Sequence, residues 1–229
     1  MYKYETHLHT REGSACSSAP AADMARAHKA AGYDGIFVTD HFFNANTAVP
    51  RDLSWEERVD RYFLGYEHAK QVGDEIGLKV WFGCEYTVYN ADFLIYGMTK
   101  DFMKANEQLL MHTDEREVFR TLRENDCFIV HAHPFRYDSY IHHISLYPYD
   151  VDAVEVINAS HDPRKLYNER AKLYADSYGL IKTGGSDSHH LDALFGGGID
   201  VPEPINTPAD YYRLLREGKV YPRERTLGV

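Results

Sequence analysis

Apolar and polar positions along the chain switch repeatedly between two periods. Residues 2–6 place aromatic and β-branched side chains at alternating positions, which predicts a strand. A small, polar stretch over 11–18 reads as a loop. Pro20 then opens a helix over 21–31 that Gly32 ends. Residues 35–41 are an apolar run closing in Asp40-His41, the pattern of a parallel strand buried on both faces. Ser54 and Glu57 form a capping box that predicts one long helix to residue 76, stopped by Gly77. Strands are expected over 78–86 and 92–96. Next comes a helix capped by Thr113 or Asp114 and running to 124, then a strand over 127–131. Residues 135–149, rich in Tyr and His, are long for a structureless connection and are expected to be a functional loop or lid. A strand over 151–158, a helix over 162–178, a strand over 180–183, a helix from Thr207-Pro208 and a last short strand over 219–221 complete the series. Strand then helix, repeated about seven times, predicts an α/β fold with a parallel sheet, open or closed into a barrel.

Polar chemistry collects where those strands end. The first closes in His7 and His9, the second in Asp40 and His41, and the third in Glu85. Later ones close in His131 and His133, in Asn158 and His161, and in Asp187 and His189. His7 and His9 stand two apart, so a strand presents both to one face. In parallel α/β barrels the active site lies at the C-terminal strand ends. Imidazoles and carboxylates at nearly every such end are hard to explain by packing, because buried charge needs a partner. They predict a polynuclear metal site. Imidazole and carboxylate donors without a thiolate cluster suit Zn, Mn or Fe. Paired ions of this kind favour hydrolysis, above all at phosphorus. Gly196-Gly197-Gly198 has no following Lys-Ser/Thr and is a turn, not a phosphate-binding loop.

Composition narrows the reading. The 229 residues fit one domain spanning 1–229, and a net charge of -10 disfavours long nucleic acid as a partner. A small phosphorylated substrate remains compatible, since bound cations reverse the local field. Cys16, Cys84 and Cys127 are widely spaced and odd in number, as in a reduced compartment. With neither a signal-like N-terminus nor an apolar run long enough to span a bilayer, the expectation is a cytoplasmic protein without a membrane partner.

His7-Leu8-His9-Thr10, Thr39-Asp40-His41, Gly83-Cys84-Glu85, Ala132-His133-Pro134 and Ser186-Asp187-Ser188-His189 occur in an order that resembles the PHP (polymerase and histidinol phosphatase) family. The resemblance covers most of the chain. It implies a distorted (β/α)7 TIM-like barrel, two or three divalent metal ions, and hydrolysis of phosphate esters by a hydroxide bridging two of them. Carried over by motif, His7, His9, Glu85 and Asp187 bind one ion. Glu85 bridges to a second held by His133, and His41 and His189 hold a third. The family's first-loop ligand has no match at Ala15, so Glu12 is the expected substitute; Asp92 is a weaker candidate for the second ion. Arg136, just past the Ala-His-Pro motif, is the candidate phosphate grip, with Arg11 a weaker one. Asp40 is expected to hold a neighbouring imidazole or loop, His131 to orient its neighbours, and Asn158 and His161 to line the pocket at most. The expected substrate is a small phosphomonoester, as for a histidinol phosphatase. Two other functions fit the same motifs. One is a phosphodiesterase or exonuclease on short oligonucleotides, using the loop aromatics Tyr137, Tyr140, Tyr147 and Tyr149. The other is a non-catalytic regulatory domain.

Overall fold

A computed structural model describes residues 1–139, 141 and 143–226, so Tyr140 lies outside the described residues. One nine-stranded sheet runs through the molecule in the order β7-β6-β5-β4-β3-β2-β1-β8-β9. Its central members are β1 (Tyr2–Leu8), β2 (Gly35–Val38), β3 (Lys79–Val88) and β4 (Ala91–Tyr96). On one side follow β5 (Phe128–Ala132), β6 (Ala153–Asn158) and β7 (Ile181–Gly185); on the other, β8 (Ile199–Val201) and β9 (Tyr221–Pro222). The sheet curls until its two sides nearly meet. Leu8 bridges to Ser188 just beyond β7, Asp187 N donates to His7 O at 2.8 Å, and His9 N donates to Ser188 O at 2.9 Å. The result is a nearly closed, distorted TIM-like barrel.

The sheet is mixed, not parallel throughout. β4 is antiparallel to both β3 and β5, and β8 and β9 are antiparallel to their neighbours. The β3–β4 connection is a tight hairpin through Tyr89 (φ 52) and Asn90, too short for the helix that a parallel crossover needs. β8 is three residues long and carries no periodic signal of its own.

The helices are α1 (Ala21–Ala30), α2 (Trp55–Tyr62), α3 (Leu64–Ile76), α4 (Lys100–Ala105), α5 (Glu107–His112), α6 (Glu115–Glu124), α7 (Tyr167–Tyr178) and α8 (Pro208–Arg216). The capping boxes of α2 (Ser54, Glu57) and α8 (Thr207, Asp210) are both formed. The single long helix expected after Ser54 breaks at Phe63, whose ring stacks on Phe82 at 4.0 Å. The break lets Gly65 press its backbone against the first loop. A Cβ at Gly65 would lie 2.5 Å from Thr10 Oγ1 and 2.7 Å from Asp40 Oδ2. Leu166, at φ 55, likewise separates α7 from a 3₁₀ turn at Pro163–Lys165.

An aromatic layer of Tyr4, Phe37, Trp81, Tyr96, Phe128 and Tyr211 fills the barrel. Tyr96 donates its hydroxyl to Thr6 O at 2.7 Å, and the Tyr211 hydroxyl meets Thr183 Oγ1 at 2.6 Å. These tyrosines tie the barrel filling to β1 and β7, the strands that carry the polar cluster. Among the described residues no helix is long and apolar enough to cross a membrane.

Candidate metal centre

The end of β1 aims two imidazoles at one point, as strand alternation requires. His7 Nε2 and His9 Nε2 stand 3.2 Å apart. Both rings have their other nitrogen occupied. His7 Nδ1 lies 2.9 Å from Glu155 Oε1, an acceptor only, so Nδ1 carries the proton. His9 Nδ1 lies 2.9 Å from Ser14 Oγ, and that hydroxyl gives its one hydrogen to Asp40 Oδ1 at 2.7 Å, so His9 Nδ1 also donates. The network therefore turns the two Nε2 atoms toward each other, which is repulsive unless a proton or a cation sits between them.

Carboxylates complete that surrounding. His7 Nε2 is 3.4 Å from Glu85 Oε1 and 3.5 Å from Asp187 Oδ1. His9 Nε2 is 3.4 Å from Glu85 Oε2 and 3.3 Å from Asp187 Oδ1. Donor atoms each about 2.0–2.2 Å from a zinc ion stand roughly 3.0–3.5 Å from one another, so these spacings are those of a coordination shell. Glu85 also faces outward from it. Its Oε1 is 3.0 Å from His133 Nε2, and its Oε2 is 2.7 Å from His41 Nδ1. The ligand atoms of His9, His41 and His189 form a further group, all within 4.8 Å of one another.

Backbone strain marks the same residues. His133 has φ 26 and Asp187 φ 55, left-handed conformations unusual for side chains of this size. Asp187 is held there by its N–H to His7 O, and His133 by its N–H to Glu155 Oε2 at 3.0 Å.

A second ring of buried groups fixes the first. Glu155 accepts from His7 and His133 N, and from Asn158 Nδ2 at 3.0 Å. Asn158 Nδ2 also reaches Asp187 Oδ2 at 3.3 Å. Asp40 accepts from Thr10 N and Thr10 Oγ1, both at 2.6 Å, and so locks the first loop that carries Ser14. Gly185 is required beneath this ring, since a Cβ there would lie 2.5 Å from His7 Cβ and collide with Glu155 Oε1.

The electrostatics favour cations. Burial would raise the Glu85 carboxyl, but the imidazoles of His41 and His7 more than reverse this and hold it well below the usual carboxylate range. Asp187 is lowered in the same way, against burial, by His7, His9 and Arg136. Burial would strip positive charge from His7, yet Glu155, Asp187 and Glu85 pull its pKa well above the ordinary imidazole value. His9 goes the other way, lowered by burial and by His41 and His189. Four carboxylate and imidazole groups thus converge on a place where positive charge is stabilised and a lone pair is available. This donor set fits divalent metal ions.

Seven of the expected residues, His7, His9, His41, Glu85, His133, Asp187 and His189, come together. Glu12 does not. Its Oε2 accepts from Ala21 N at 3.0 Å, capping α1, and its Oε1 lies 3.3 Å from His68. A carboxylate satisfied at a helix N-terminus is drawn away from the cluster. Asp92 stands beside Glu85 and His133, its Oδ1 accepting from Thr87 Oγ1 at 2.6 Å. His131 turns away from the centre and stacks on Phe93 at 5.1 Å, because the positive φ of His133 breaks the alternation that would pair them. His161 bonds Asn168 Oδ1 at 3.0 Å, outside the cluster. Arg136 reaches it, with Nη1 donating to Asp187 Oδ2 at 3.0 Å.

Three contributors were not anticipated. Glu155 had a legible signal: one carboxylate inside the wholly buried strand Ala153–Asn158 demands a buried partner. Ser14 gave none. Cys16 also gave none, because the family comparison directs attention to Ala15, which is exposed. Cys16 instead lines a cavity of about 510 Å³ that opens over the centre, with His41, Glu85, Asp92, Arg136 and His189. Burial would raise its thiol, but the His189 and His41 imidazoles bring it down to about 6.

A family model described as PHP-associated matches residues 165–220. No curated protein matches the sequence. In structure the chain is similar to a two-domain protein from Bacteroides vulgatus assigned a PHP-like metal-dependent phosphoesterase. The TM-score is 0.72 at 15% identity, over 98% of this chain and 65% of that one, so the chain spans about two thirds of that protein's length. It is also similar to a protein from Bifidobacterium adolescentis assigned as a metal-dependent phosphoesterase (TM-score 0.56, 14% identity, 96% of this chain and 97% of that one). An amidohydrolase from Chromobacterium violaceum is similar too (TM-score 0.55, 14% identity, 96% and 98%). Likeness at these identities concerns the fold. The PHP-associated model thus matches the C-terminal segment, and the fold is shared along nearly the whole chain with a protein that contains a PHP-like domain.

Proposed function

We propose that the protein is a metal-dependent hydrolase of phosphoric esters whose substrate is a small phosphomonoester. The observation that carries this reading is the shell formed by His7, His9, Glu85 and Asp187, with donor atoms 3.2–3.5 Å apart at the floor of an open cavity. These four would hold one divalent ion, Glu85 and His133 a second, and His41 and His189 a third, with Zn, Mn or Fe suited to the donors. Such ions supply Lewis acidity and lower the pKa of water at neutral pH.

The chain's own groups do the positioning. Arg136 lines the cavity and is held by Asp187, so its guanidinium stands where a phosphate oxygen would be received. Asp40 and Ser14 fix the His9 ring, and Glu155 fixes that of His7. The cavity, at about 510 Å³, has room for a phosphate and a compact organic group. A diester reading draws on Tyr89, an exposed ring at the cavity rim that could stack a base.

The test is hydrolysis of p-nitrophenyl phosphate and a panel of metabolite monoesters by metal-loaded protein, beside bis-(p-nitrophenyl) phosphate and simple amides. Metal-dependent turnover of monoesters, abolished by His9→Ala, is expected. Faster diester turnover would favour the second reading. Amide turnover alone would assign the centre to the chemistry named for the Chromobacterium protein. Loaded protein inert toward every phosphate ester would reject the proposal.

A further inference from the structure

The first loop brings sulfur to the outer edge of the centre. Cys16 lines the cavity together with His41 and His189. The loop is anchored on either side of it. Ala15 N donates to Asn46 O at 2.9 Å, and Ser17 Oγ donates to His189 O at 2.7 Å and reaches His9 O at 3.1 Å. Cys16 is therefore tied to the same backbone that carries two of the imidazoles.

A second observation points to a ligand at this place. Glu85 Oε2 and His41 Nδ1 are both cut off from solvent and stand 2.7 Å apart, yet neither makes a hydrogen bond. Their close approach lacks hydrogen-bond geometry, so each atom is left able to serve a third partner. Glu85 is only 1% exposed, so water does not satisfy its oxygen cheaply. The ring of His189 lies 6.1 Å from that of His41 and 4.2 Å from that of His9, closing the same space from the other side.

Resting on the metal-centre reading above, we propose that Cys16 donates its sulfur to the ion held by His41 and His189, making that position a mixed sulfur–nitrogen site. On binding, the thiol proton leaves to solvent as the metal–sulfur bond forms. Thiolate is a soft donor and favours zinc or cobalt over manganese, whereas the inner His7, His9, Glu85 and Asp187 shell has no sulfur. The outer position should thus select a different metal from the inner one. Cys84 and Cys127 offer no rival, since both lie in the apolar core and burial pushes their thiols up.

The test is cobalt(II) titration of the metal-free full chain. A thiolate-to-cobalt charge-transfer band in the near ultraviolet is expected as the outer position fills, and zinc should protect one thiol from alkylation. Neither readout needs a variant. In C16S the band should vanish and the last equivalent should bind at least about tenfold more weakly, the lower end of what even an outer partner costs. C16D should restore the stoichiometry without the band and shift preference toward manganese. Cobalt bound by the wild-type chain without the band, or a C16S protein with unchanged band and affinity, would overturn the assignment while leaving the inner centre intact. A wild-type chain that binds no cobalt would remove the metal centre itself, and the role of Cys16 with it.

Discussion

Glu155 Oε1 lies 2.9 Å from His7 Nδ1, and neither side chain has any exposure to solvent. The contact does more than orient a ring. The other oxygen of Glu155 accepts from His133 N and Asn158 Nδ2, each at 3.0 Å, so one carboxylate from β6 serves β1 and the strained end of β5 together. Glu155→Gln keeps the shape but places an amide N–H₂ against one set of donors. Loss of an outer partner of this kind costs about 10–100-fold in metal affinity. Metal affinity measured against a competing chelator should fall by that factor in the variant, with the far-ultraviolet spectrum unchanged. An affinity equal to wild type would show that His7 holds its position without Glu155.

Arg136 should separate binding from ion retention. Its guanidinium donates to Asp187 Oδ2 at 3.0 Å and lines the cavity. A hydrogen bond to a charged group is worth about 1.5–3 kcal/mol, or roughly 10–100-fold. Arg136→Ala should lower kcat/KM for a phosphomonoester by that factor, mostly through KM, while metal content stays within one equivalent. Arg136→Lys should recover only part, because an ammonium does not reproduce the planar fork. Loss of metal in step with activity would reduce Arg136 to a support for Asp187.

The order of the motifs made the centre readable, because strand ends in an α/β barrel share one rim. His7 and His9 obey strand alternation and needed no further information. His131 and His133 have the same spacing and do not pair, because φ 26 at His133 rotates one ring away. Spacing carries no record of such a turn. Glu12 was drawn off by a helix terminus that only the folded chain places beside it. α4 and α5 went unread because six residues are too few for a helical period to stand out. The antiparallel β4 was hidden for another reason: a strand buried on both faces looks alike in either direction.

His131 gives a direct check on that account. It is fully buried, both ring nitrogens lack hydrogen bonds, and the ring sits among Phe93, Tyr147 and Tyr174. Burial lowers its pKa to about 3, so it is neutral. Each unsatisfied buried polar atom costs about 1–3 kcal/mol. His131→Phe should therefore be neutral or stabilising in urea denaturation, with metal content unaffected. A drop in bound metal would return His131 to the set of ligands.

A second buried imidazole, remote from the centre, should shape the acid limb of stability. His28 is fully buried on α1; its Nδ1 donates to Met24 O at 2.9 Å, its Nε2 has no partner, and Tyr33 packs edge-on at 5.0 Å. Burial, aided by the nearby Lys3 charge, lowers its pKa from 6.5 to about 4. Between those values the unfolded chain binds a proton that the folded chain refuses. The stability tied to the neutral ring is thus complete above pH 6.5 and is lost as pH falls toward 4. A displacement of this size corresponds to roughly 3 kcal/mol at 1.36 kcal/mol per pH unit. His28→Asn can still reach the Met24 carbonyl but does not titrate there. The difference in unfolding free energy between wild type and variant, followed by urea titration at a series of pH values, should shift by about that amount across this window, in favour of the variant as acid is added. A difference that stays constant with pH would mean that the folded protein admits the proton at His28 without penalty.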